Sequence, residues 1–197
     1  MATPRPIGKG ASSTRLRLLD AVEALMIEAG HAAVTYRAVA ERAGVVPSNV
    51  QYYFPTLEDL LVATVRRRTE QSLAHLLDLL QSRPDQPLRA LWEFSADETT
   101  AALAFEFSAL GNQLASVRTE TSRYMNRLRG IQLGTLVGAG LLGDDEVPTP
   151  AVLFLLSGIP KLIQMEQSFE IDVGHREIIA MVEELLDARE PTDGDRP

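Results

Sequence analysis

Between Thr35 and Phe54 the chain reads TYRAVAERAGVVPSNVQYYF. The side chains in this stretch with chemistry to offer are mostly hydrogen-bond donors: Thr35, Arg37, Ser48, Asn49, Gln51, Tyr52 and Tyr53. No acidic residue falls between Val45 and Leu57. Such a set suits contact with phosphate oxygens and base edges, where a carboxylate would be repelled. An ordinary solvated helix would carry some acids among its exposed positions.

Those donors need a scaffold, and the apolar residues between them supply one. Ala40, Gly44 and Val50 have the spacing of a helix-turn-helix. Ala40 is small enough for a second helix to cross above it, Gly44 can take the positive φ of a tight turn, and Val50 packs into the angle. Val39, Ala43, Val45 and Tyr53 fill the remaining inward positions. Thr35 caps the first helix, which ends near Ala43 and Gly44, and Pro47 suits the first turn of the second. Two amphipathic helices joined by a glycine turn also occur in ordinary bundles, and the acid-free outward set is what favours nucleic acid. Upstream, residues from about Thr14 to Gly30 carry a helical apolar stripe. Downstream, Thr56 and Asp59 form a capping-box pattern opening a helix to about Ser82, where Arg83-Pro84 ends it.

Residues 14 to 62 resemble the DNA-binding domain of the TetR family of transcriptional regulators. The matching words are Thr35 to Ala40, Ala43-Gly44-Val45, Tyr52-Tyr53-Phe54 and Thr56-Leu57-Glu58-Asp59-Leu60-Leu61. The resemblance implies an all-α fold: a three-helix helix-turn-helix DNA-binding domain followed by a larger helical bundle for ligand binding and dimerisation. It further implies that Thr35, Tyr36 and Arg37 touch the DNA from the second helix. Pro47, Ser48, Asn49 and Gln51 would face the bases from the third, with Tyr52 and Tyr53 divided between packing and phosphate contact. Three positions depart from the family. Val46 stands in place of a serine cap, Gln51 in place of a frequent tyrosine, and Leu57 in place of a frequent lysine. Arg5, Lys9, Arg15 and Arg17 are candidates to replace the lost phosphate contacts.

Beyond Pro84 helical segments follow near Pro87, over about Asp97 to Leu110 and over about Leu114 to Ala139. After a Gly- and Asp-rich loop come a helix from Pro148–Pro150, with a kink or break expected near Gly158 because of Pro160, and a last helix over about His175 to Ala188. The expected organisation is an arm over 1–12, the helix-turn-helix domain over 13–57, the bundle over 58–189 and a disordered tail over 190–197. Candidate pocket residues are Trp92, Phe94, Glu98, Phe105, Asn112, Tyr124 and Met125, an apolar set with a few polar groups of the kind that lines small-molecule sites. The effector is expected to be largely apolar. The last two helices carry Leu153, Leu156, Ile163, Ile178, Met181, Val182, Leu185 and Leu186, and the resemblance implies homodimerisation through them.

The net charge of −8 argues against indiscriminate nucleic-acid binding, but it is unevenly spread. Residues 1–70 carry nine Lys or Arg against seven Asp or Glu, a net of +2, and residues 71–197 ten against twenty, a net of −10. A DNA binder needs positive charge only where phosphates approach. The chain has no cysteine, which removes disulfides, thiolate catalysis and cysteine zinc sites. Apolar runs such as Ala151–Leu156 fall well short of the roughly 20 residues of a membrane span. With no signal-like segment at the N-terminus, the expectation is a cytoplasmic protein acting on double-stranded operator DNA, without cofactor or metal. An enzyme is the rival class, but no phosphate loop, nucleophile elbow or His-Glu-x-x-His spacing is present. A helical adaptor that binds protein through the third helix is the other rival. The run Arg66-Arg67-Arg68 spans nearly a turn and suits a salt-bridged surface; His31, His75 and His175 are too far apart for a local metal motif.

Overall fold

The computed structural model describes residues 9–139 and 149–190. Arg5, the expected loop at 140–145 and residues 191–197 of the expected tail lie outside them. Among the described residues the chain forms nine α-helices and one short 3-10 turn, with no strand. These are α1 (Lys9–Ala29), the 3-10 turn (His31–Ala33), α2 (Tyr36–Ala43), α3 (Pro47–Tyr53), α4 (Leu57–Ser82), α5 (Pro87–Ala96), α6 (Glu98–Gln113), α7 (Ala115–Gly138), α8 (Thr149–Gln167) and α9 (His175–Arg189). The all-helical class follows from the 3.6-residue apolar period that runs through nearly every segment.

Helix ends fall where local chemistry puts them. The Thr35 hydroxyl accepts from the Ala38 N–H at 3.1 Å and caps α2. At the start of α4 the capping box is reciprocal: Asp59 N–H donates to Thr56 Oγ1 at 3.0 Å, and Thr56 N–H donates to Asp59 Oδ2 at 3.1 Å. Asp therefore serves where Glu is more usual. α1 begins at Lys9, inside the stretch expected to be an arm.

Of the kink or break expected in the middle of α8, the break does not occur. The helix runs unbroken through Pro160, and Gly158 keeps a negative φ. Leu153, Leu156 and Pro160 are all buried along one side of the helix. Burying that stripe outweighs the missing N–H at Pro160, a loss of about 3 kcal/mol in an exposed helix.

The chain divides into two compact units. The first comprises the described residues up to Thr69 with Ala102–Arg123, and the second Glu70–Ala101 with the described residues from Tyr124 on. The core of the first unit contains Leu18, Val22, Met26, Val39, Val50 and Leu60, and also Leu103, Phe107, Leu110 and Val117 from α6 and α7. The unit is thus larger than the three-helix domain expected over 13–57. Ion pairs tie its surface. Arg66 donates to Glu120 at 2.7 Å and Arg123 to the same carboxylate at 2.8 Å, while Arg67 pairs with Asp20 and donates to the Leu16 carbonyl at 3.1 Å. Two members of the arginine run are therefore salt-bridged, facing different helices.

In the second unit the core contains Leu73, Leu76, Leu91, Phe94, Leu128, Leu136, Leu153, Leu156 and Leu186. Glu190, the first residue of the expected tail, is buried here. Its carboxylate accepts from the N–H groups of Leu88 at 2.6 Å and Arg89 at 3.0 Å. The residue before α5, Gln86, gives no side-chain cap, so a glutamate about a hundred positions away satisfies those orphan donors.

Glu106 does similar work in the first unit. Its Oε2 accepts from the His31 backbone N–H at 2.6 Å and faces the His31 ring Nδ1 at 2.7 Å. One carboxylate thereby joins α6 to the 3-10 turn that leads into α2. Both side chains are about a quarter exposed, which moderates the energy. Glu106→Ala is expected to lower unfolding free energy by about 1–2 kcal/mol, measured by urea denaturation; an unchanged midpoint would show that the α6 contact carries no stability.

Candidate nucleic-acid interface

α2 and α3 are held at a fixed crossing by backbone geometry and one buried side chain. Gly44 sits in the left-handed region, with φ 66° and ψ 39°. Its N–H donates to Glu41 at 3.2 Å, and the Val45 N–H donates to the Ala40 carbonyl at 2.9 Å, closing the end of α2. Val50 and Val39 have no exposed surface, and Ala40 almost none. The small, glycine and branched positions read from the sequence are therefore the ones the crossing uses.

Burial of Val50 decides what α3 presents. At about 100° per residue, Ser48, Asn49, Gln51 and Tyr52 lie on an arc centred roughly opposite Val50. All four are exposed, as are Thr35, Arg37 and Pro47. Tyr52 is 80% exposed and its ring meets that of Tyr53 edge-on, with centroids 5.2 Å apart. Tyr53 itself is half-buried against the core.

Tyr36 is used differently from its neighbours. It is half-buried, and its hydroxyl donates to the Phe54 carbonyl at 3.0 Å. Burial, with the charge of Asp59, raises its pKa above the ordinary phenol value, so it stays a donor at neutral pH. Its hydrogen is committed to the end of α3, and Tyr36 fixes where that helix stops. The Phe54 ring also meets the Arg15 guanidinium, which lies 5.0 Å from its centroid. Leu57 packs against the same core.

Among the described residues, free positive charge around α3 is sparse. Arg42 is tied to Glu28, donating to Oε2 at 2.6 Å, and that hydrogen bond holds the Glu28 carboxyl below its usual range. Arg37 is exposed and makes no ion pair among the described residues. Arg17 donates to Thr14 Oγ1 at 3.3 Å. The face is thus rich in neutral donors and acceptors, with little charge.

The model of bacterial regulatory proteins of the tetR family matches residues 18–64. Residues 18–64 belong to the TetR family. This TetR segment is 46% identical over 57 residues to the HTH-type transcriptional repressor KstR of Rhodococcus jostii (strain RHA1). The match takes in 29% of this chain and 27% of the repressor, so it spans just over a quarter of that relative's length. Solved structures extend the likeness to the fold of the rest. A TetR transcription regulator from Haloarcula marismortui superposes with a TM-score of 0.67 at 16% identity, over 90% of this chain and 98% of that one. A chain from Saccharomonospora viridis described as a transcriptional regulator, crystallised in complex with choline, gives 0.68 at 16% identity, over 79% and 85%.

The candidate pocket residues are divided between the two units. Phe94 is buried in the core of the second unit, with Trp92, Tyr124 and Met125 half-buried against it, and the Tyr124 hydroxyl is 2.8 Å from Ser72 Oγ. Glu98 is in that unit but exposed. Phe105 and Asn112 belong to the first unit and are exposed, because α6 turns Leu103, Phe107 and Leu110 inward instead. Sequence pattern could not separate these two faces, since aromatic residues on α6 carry no mark of which core they serve. It also missed Glu106 and His31, whose partnership links positions 75 residues apart.

The start of α3 supplies a direct test. Val46 precedes Pro47 in an extended conformation, 58% exposed, and gives no side-chain cap. Val46→Ser adds an acceptor for an orphan N–H and removes little packing. It is expected to raise stability by about 1 kcal/mol, seen as a higher urea midpoint; a lower midpoint would mean Val46 packs in a way its exposure denies.

Proposed function

We propose that this protein is a ligand-responsive transcriptional regulator, a cytoplasmic repressor that binds a palindromic operator as a homodimer and is released by a small molecule. The observation that carries the reading is the outward face of α3. Ser48, Asn49, Gln51 and Tyr52 stand exposed opposite Val50, with no acid from Val46 to Thr56. Such a helix suits the major groove, where amides and hydroxyls discriminate base edges. Asn49 and Gln51 are the base-reading residues in this account, Ser48 and Pro47 approach the same bases, and Thr35 and Arg37 add contacts from α2. Tyr52 and the edge of Tyr53 reach the phosphates. The likeness of the TetR segment to KstR, a transcriptional repressor, supports the same reading. No catalytic role is assigned to any residue.

A single seven-residue helix reads few bases, which calls for a second copy. Among the described residues, α8 and α9 expose Phe154, Leu155, Leu162, Met181 and Leu185 while burying Leu153, Leu156, Val182 and Leu186. Two apolar rows on the same helices suit one row for the chain's own core and one for a partner. Dimers would hold the recognition helices about one turn of DNA apart, roughly 34–36 Å. Effector in the second unit acts through α4, which contributes residues to both units, and it must favour the released state to shift the balance. The choline held by the Saccharomonospora viridis structure supports a small-molecule role for a fold of this kind. No helix among the described residues is long and apolar enough to cross a membrane.

Selection of genomic fragments with purified protein, followed by gel shift on the enriched site, tests the reading. The expected result is a near-palindrome whose affinity falls at least tenfold in Asn49→Ala/Gln51→Ala, given about 1–3 kcal/mol per lost base contact. No enrichment at low salt would overturn it and favour an adaptor whose α3 binds protein.

A further inference from the structure

In the second unit α7 and α8 hold a group of donors with no acid among them. Arg129 and Gln132 lie one turn apart on α7, and Ser157 and Lys161 one turn apart on α8. The Arg129 guanidinium donates to Ser157 Oγ at 3.1 Å and to Gln132 Oε1 at 3.4 Å. Ser157 in turn donates to the Leu153 carbonyl at 2.8 Å, which leaves its oxygen free to accept from Arg129. The same contact settles the Gln132 amide, since only its oxygen can face a guanidinium. Its Nε2 is therefore a donor, and it is buried without a partner in a side chain 1% exposed.

Lys161 adds a second cation. It stands one turn along α8 from Ser157, the acceptor of Arg129, and burial, then the charge of Arg129, hold its ammonium below the ordinary lysine value. Among the described residues neither makes an ion pair. Arg89 of the same unit shows the contrast, since it pairs with Glu183 at 3.2 Å and with Asp187. Two half-buried like charges beside an orphaned amide donor are unfavourable for an empty protein. Packing alone does not call for them, because Met and Leu would occupy similar volume. What satisfies all three at once is an anion, which Arg and Lys bind with charge-assisted hydrogen bonds.

We propose that Arg129, Gln132 and Lys161, with Ser157 positioning Arg129, bind the anionic end of the effector, a carboxylate or a phosphate. Leu128, Leu153 and Leu156 lie on the same two helices and belong to the apolar core, so acids with an aliphatic chain are the probes to use. The effector role rests on the regulatory reading above; the anion site does not, and its test needs no DNA.

The experiment compares full-length wild type with Arg129→Gln/Lys161→Met by thermal melting in sodium phosphate and in sodium chloride at equal ionic strength. General salting effects move both proteins alike, so the difference between their midpoints isolates the site. That difference is expected to shift toward wild type by several degrees in phosphate and to saturate with concentration. Titration calorimetry with decanoate, decyl phosphate and neutral decanol then identifies the head group. One acid should bind wild type at least tenfold tighter than decanol and lose that advantage in the double variant. Lys161→Met alone should melt no lower than wild type in chloride, which guards against a folding artefact. A midpoint difference indifferent to the anion would overturn the proposal. So would an acid preference that survives the double substitution, or dimer dissociation in Lys161→Met, which would assign the cations to a partner chain's carboxylate. Operator binding by wild type is unaffected by any of these failures.

Discussion

Everything proposed for α3 depends on the complete burial of Val50 in the angle between α2 and α3. The helix has only seven residues, too few to be stable alone. It exists because Val50 and Phe54 are sequestered by the surrounding helices and because Gly44 turns the chain in a conformation that other residues adopt at a cost. Once Val50 faces inward, helical geometry sends Ser48, Asn49, Gln51 and Tyr52 outward together. The exposed face is a consequence of the core, which explains how a polar helix without a side-chain cap can present its amides in a fixed direction.

The first unit extends that logic beyond the helix-turn-helix. Val117 and the inward residues of α6 complete its core, and Glu106 anchors the turn before α2 through the His31 backbone. Charge is handled in the same internal way. Arg42, Arg66 and Arg67 pair with carboxylates of their own unit, so three of the nine cations in the first 70 residues are engaged in the fold. Recognition in this account leans on shape and hydrogen bonding, and few phosphate contacts give a shallow dependence on salt.

What could be read from the sequence is what local rules control. The caps at Thr35 and Thr56, the proline at the first turn of α3, the glycine turn and the bounds of α4 all depend on neighbours within four residues. The 3.6-residue period gave the helical class because each helix buries one stripe. Contacts between distant positions left no such trace: His31 with Glu106, Glu190 with the start of α5, and Arg129 with Ser157. Pro160 shows the limit from the other side, since a local rule allowed a kink or a break and the helix continues, its buried stripe intact. Trp92 and Phe105 look alike as aromatic residues on bundle helices, yet one packs in the second unit and the other lies exposed on the first.

Hydrogen exchange with and without the enriched DNA fragment measures the central claim most directly, because it asks which backbone becomes covered. The account predicts slower exchange in peptides spanning residues 35–53, with α8 and α9 unchanged by DNA. Protection confined to other segments, with residues 35–53 exchanging as in the free protein, would contradict it.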